Sequence, residues 1–151
     1  MRCLAIFLVC AFLLAACQPA TPPPPFIATT DVELTLAPAQ TVTIVDTGLT
    51  IRLIGVTSDE RCPSEIECAM SGPVSISLSA QMGDAGPVDV TMQTLTDYDG
   101  RSPSMKFEGI ESRATYGGYL IQVVGVLPYP RKSTSEIKDS DYRVTLVVVR
   151  E

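Results

Sequence analysis

From Asp31 onward, apolar and polar positions alternate with a period of two. Val32-Glu33-Leu34-Thr35-Leu36 alternates, as do Thr41-Val42-Thr43-Ile44 (running on into Val45) and Leu49-Thr50-Ile51-Arg52-Leu53. Val74-Ser75-Ile76-Ser77-Leu78-Ser79 separates an aliphatic face from a hydroxyl face, and Val88-Asp89-Val90-Thr91-Met92 repeats the rule. Successive side chains of a strand point to opposite faces of its sheet, so each run predicts a strand. Met105-Lys106-Phe107-Glu108 is a weaker candidate. Tyr119 to Leu127 and Tyr142 to Val149 are the most apolar and β-branched runs, which suits central strands buried on both sides.

The stretches between these runs carry turn residues: Ala37-Pro38, Asp46-Thr47-Gly48, Gly83-Asp84-Ala85-Gly86-Pro87, Tyr98-Asp99-Gly100 and Gly117-Gly118. No stretch shows an amphipathic helical period, and residues 133–140 suit one turn at most. About eight short strands at this spacing predict a single all-β domain over 31–151, an antiparallel β-sandwich of immunoglobulin-like or related type.

The start of the chain follows another rule. After Met1-Arg2 comes an apolar run from Leu4 to Ala16, too short for the roughly 20 residues of a membrane-spanning helix. It reads as the core of a signal peptide, residues 1–16. Leu14-Ala15-Ala16-Cys17 resembles a bacterial lipobox: small residues let a peptidase close on the backbone, and Cys17 supplies a thiol. The resemblance implies a diacylglyceryl thioether on Cys17, cleavage before it and acylation (palmitate or similar) of the new N-terminus. Residues 17–30 then form the lipidated cysteine and a proline-rich tether. Pro22-Pro23-Pro24-Pro25 favours polyproline II or disorder, with a reach of about 40 Å for thirteen residues. Cleavage removes Arg2 and leaves the chain one unit more negative than its initial −6. Such an acidic domain is not expected to bind nucleic acid or anionic headgroups by electrostatics.

The leader would take Cys3 and Cys10 with it, and lipid would cap Cys17. An exported domain then has two thiols, which predicts a Cys62–Cys68 disulfide. Two thiolates without any histidine make half a zinc site at best. Asp59, Glu60, Glu65 and Glu67 match no calcium loop and read as an exposed acidic turn. Ser58-Asp59-Glu60-Arg61-Cys62-Pro63 and Cys68-Ala69-Met70-Ser71-Gly72, followed by Pro73-Val74-Ser75-Ile76, resemble a stretch of uncharacterised secreted and lipid-anchored bacterial proteins. Those carry Asp-x-Arg-Cys-Pro, then Cys-x-Trp-Ala-Gly and a strand. Leu127-Pro128-Tyr129-Pro130, Ile137 and Asp141-Tyr142-Arg143 are similar too. The likeness is scattered over Ile51 to Val149, and Met70 stands where an aromatic is usual. It implies a compact β domain with the bridge, and no activity.

Candidate catalytic strings are few. Val45-Asp46-Thr47-Gly48 resembles the aspartic protease signature, in which two carboxylates share a proton, but Leu49 stands where a small residue is usual. Asp-Thr-Gly is equally a hairpin turn. Ser135-Glu136-Ile137-Lys138 fits Ser-x-x-Lys without the companion motifs of that chemistry. Tyr98, Tyr116, Tyr119, Tyr129 and Tyr142 could build a binding surface, with Tyr119 and Tyr142 better suited to the core. The chain has no His and no Trp. The expectation is a non-enzymatic envelope protein without cofactor or metal. It would be held on the membrane through Cys17, with an envelope protein or polysaccharide as partner. A protease-inhibitor module and an aspartic-protease-like hydrolase are the alternatives. Gln18 does not resemble the aspartate retention signal, so the outer membrane is expected where the source has two.

Overall fold

The computed structural model describes residues 21–151. Among the described residues nine strands form two sheets. They are β1 (Phe26–Ala28), β2 (Glu33–Leu36), β3 (Thr41–Ile44), β4 (Leu49–Asp59), β5 (Val74–Met82), β6 (Val88–Thr94), β7 (Arg113–Tyr116), β8 (Tyr119–Leu127) and β9 (Arg143–Arg150). One sheet has the order β1-β3-β4-β5-β6, the other β2-β9-β8-β7. Every pairing is antiparallel except β1 with β3, which is parallel. The molecule is therefore an all-β sandwich.

The period-two pattern explains the core. Val42 and Ile44, then Leu49, Ile51 and Leu53, then Val74, Ile76, Leu78 and Ala80 line the inner face of the first sheet, all buried. Leu34 and Leu36, with Ile121, Val123, Val144, Leu146 and Val148, answer from the second. Burying one such aliphatic side chain contributes about 1.5–3 kcal/mol. Among the described residues this buried cluster runs from Leu34 to Val148. β8 and β9 are the central strands of their sheet. Their outward positions are half-buried rather than sealed.

Three departures from the sequence expectation have physical causes. The sandwich begins at Phe26, not Asp31: Phe26, Ile27 and Ala28 pair with Val42, Thr43 and Ile44, and Phe26 and Ala28 pack against the core. The proline run masks this short strand. β4 extends past Leu53 because register shifts between Leu53 and Gly55, and again between Val56 and Ser58, break its alternation without ending its pairing. Met105–Glu108 is no strand. Phe107 makes a single bridge to Ile110 around Gly109, which has φ 77°. Its place is taken by β7, joined to β8 by Gly117-Gly118. Both glycines have positive φ, as a two-residue hairpin of type I′ requires. Residues 133–140 contain a 3₁₀ turn at Thr134–Glu136, and a second follows at Asp139–Asp141.

Candidate functional site: the disulfide loop and its buried ion pair

β4 and β5 are joined by residues 60–73, and that connection is pinned at its base. Glu60 N–H donates to Pro73 O at 3.0 Å, and Gly72 N–H to Glu60 O at 2.9 Å. A side chain at Gly72 would collide here, since a Cβ would lie 2.7 Å from Glu60 Cβ and 2.8 Å from Glu60 O. Cys62 and Cys68 are disulfide-bonded, with Cα atoms 6.0 Å apart. The loop leans across to the opposite sheet. Ser64 and Glu65 N–H donate to Pro130 O and Arg131 O at 2.9 and 2.8 Å, and Arg131 pairs with Glu65 at 2.7 Å.

Under the loop lies an ion pair. Arg61 Nε donates to Asp59 Oδ1 at 2.8 Å and its Nη2 to Asp59 Oδ2 at 2.6 Å, a bidentate clasp. The Arg61 side chain is 0 % exposed and that of Asp59 4 %. Nη1 also donates to Val126 O (2.9 Å) and Thr96 Oγ1 (3.4 Å), and Nη2 to Pro128 O (2.9 Å). All five guanidinium N–H groups are thus matched. Tyr142 Oη donates to Asp59 Oδ2 at 3.0 Å, and Tyr129 lies under the guanidinium with its ring centre 5.1 Å away. Tyr129 Oη donates to Cys62 O at 2.8 Å, and its ring meets that of Tyr98 edge-on.

Burial pushes the Asp59 carboxyl up, and the Arg61 guanidinium more than offsets it. With the Arg61 backbone N–H and the Tyr142 hydroxyl, the net effect holds Asp59 below the ordinary carboxylate range. Burial, then the adjacent Asp59 carboxylate, pushes the Tyr142 phenol up to about 12.

Asp59 therefore does not belong to an exposed acidic turn. Glu60, Glu65 and Glu67 do. Its burial follows from Arg61 two residues on, a spacing that lets one strand end fold both side chains inward. Beside Asp59 and Tyr142 opens a shallow cleft of about 280 Å³, edged by Ser58, Thr134, Ser135 and Asp139. The hydroxyl of Ser135 bonds that of Ser133 at 2.7 Å.

Asp46 sits exposed on the β3–β4 hairpin, in a left-handed conformation (φ 58°). Thr47 closes that turn: its hydroxyl donates to Ile44 O and accepts from Leu49 N–H. Tyr142 is buried and Tyr119 packs on the core, while Tyr98 is 70 % exposed. Among the described residues no three His, Cys, Asp or Glu side chains group as a metal site. Cys17 and the leader lie outside the described residues. Comparison with protein-family models, curated proteins and solved structures gave no match.

Proposed function

We propose that this chain is a bacterial envelope lipoprotein, anchored through lipid on Cys17 and displaying the sandwich as a non-catalytic binding or structural module. The observation that carries the anchor is the ordered series of Arg2, apolar run, small residues and Cys17. The non-catalytic reading is supported by the one buried charge cluster described. Asp59, Arg61 and Tyr142 spend their hydrogen bonds on one another, on the Thr96 hydroxyl and on backbone carbonyls, which is the pattern of a structural ion pair.

Metabolic labelling with a palmitate analogue tests the anchor. Label should enter the wild-type chain and be absent from Cys17→Ala, which should appear in the soluble fraction. Equal labelling of the two would refute the assignment. Capture from native envelope with the domain as bait tests for a protein or polysaccharide partner. An inhibitor-like role has one observation in its favour: Ser64 to Ser71 is exposed yet clamped at both ends. It predicts tight protease inhibition that disappears on reduction.

A further inference from the structure

The topology decides which end of the sandwich meets the anchor. β1 runs parallel to β3, so the chain enters where β3 starts. The connections 37–40, 60–73, 95–112 and 128–142 lie toward that same end, since β2, β4, β6 and β8 finish there and β5 and β9 begin there. β4 runs on seven residues past Arg52, the partner of Thr41, so 60–73 projects beyond 37–40. The hairpin turns 45–48, 83–87 and 117–118 lie at the other. The incoming segment is fastened: Gln40 donates to Pro24 O at 3.0 Å and accepts from Ala37 N–H at 3.0 Å. Only three residues lie between Cys17 and Thr21, and those four Cα–Cα steps reach about 14 Å fully extended.

This end has features that suit a lipid headgroup layer. Met70 is 86 % exposed and Tyr98 70 %, with Ile66 and Leu127 also about half exposed. Beside the incoming segment lies a groove of about 470 Å³ walled by Pro22, Pro23, Ala37 and Pro38 and flanked by Arg52 and Arg143. Neither arginine meets a carboxylate among the described residues. The connections nearby carry Glu60, Glu67, Asp139 and Asp141, so the surface is of mixed sign. Apolar tips with an aromatic ring match the interfacial zone of a bilayer. Guanidiniums match phosphate, and carboxylates match an ammonium.

We propose that this loop-bearing end rests on a zwitterionic phospholipid surface, Met70 and Tyr98 at the acyl boundary and Arg143, at the start of β9, on headgroup phosphate. The proposal builds on the lipid anchor at Cys17. It brings the domain down onto the membrane in one orientation and turns the three hairpin tips outward.

The chain contains no tryptophan, so a single introduced indole reports its own surroundings. The full lipidated protein carrying Met70→Trp or Ala85→Trp is reconstituted into phosphatidylethanolamine and phosphatidylcholine vesicles with brominated acyl chains. Quenching of Met70→Trp should exceed that of Ala85→Trp at least about threefold, and adding Arg143→Gln should lower it about twofold. Equal quenching at the two positions, in protein that floats with the vesicles, overturns the proposal. Quenching that anionic lipid raises above the zwitterionic level overturns the headgroup assignment. A chain that neither gains mass at Cys17 nor floats removes the anchor itself, a result distinct from both.

Discussion

Arg61 sits in a place that few arginines occupy, with no exposed side-chain surface and no donor unmatched. A buried pair of this kind adds little net stability over a well-packed apolar pair, but removing one partner strands the other charge. Arg61→Met or Asp59→Leu alone should therefore cost about 3–5 kcal/mol in urea unfolding. The double variant should cost clearly less than their sum, and strict additivity in that cycle would refute the coupling. The two titrations frame the pH range. Asp59 titrates lower in the folded chain than in the unfolded one. The stability it contributes is present above the ordinary value of 3.8 and is lost as pH falls through the depressed one. Tyr142 titrates higher when folded, so its contribution is present below pH 10.0 and is lost as pH rises toward about 12. Tyr142→Phe should flatten the alkaline limb of a stability–pH curve. It should also cost about 1–2 kcal/mol at neutral pH, where the hydrogen bond to Asp59 is missing.

At the scale of elements, the disulfide closes a short loop. For seven residues the chain-entropy account gives about 2.4 kcal/mol. Cys62→Ser with Cys68→Ser should lower unfolding stability by about that amount while leaving the sandwich folded, because the core lies elsewhere. Gly72→Ala should cost about 1–3 kcal/mol through the clash with Glu60, seen as a lower urea midpoint. Strands were legible wherever one face is apolar and the other hydroxylated, as in Val74 to Ser79, because burial then writes a period of two. They were illegible where something else dominates locally. Phe26–Ala28 follows prolines, Arg113–Tyr116 is a short edge strand with little buried surface, and the bulges of β4 scramble its alternation past Leu53. The bridge was readable from counting cysteines. The ion pair beneath it was not, because a carboxylate and a guanidinium two residues apart look the same whether solvated or enclosed.

For the whole molecule, the boundary of the sandwich matters more than its composition. A chain starting at Asp31 would lack Phe26 and Ala28 and leave β3 as a bare edge. Compared with one starting at Gln18, it should lose about 2–4 kcal/mol in thermal or urea unfolding. Equal stability would show that β1 is ornamental. The parallel pairing of β1 also has a mechanical meaning. In the anchored state proposed above, a tug on the domain by a distant partner runs along the axis of β1. Its hydrogen bonds to β3 lie across that axis. They would resist together in shear, instead of peeling apart one after another as a hairpin pulled from its open end would. Three residues that barely count as a strand would then act as the latch by which the envelope holds the domain under load.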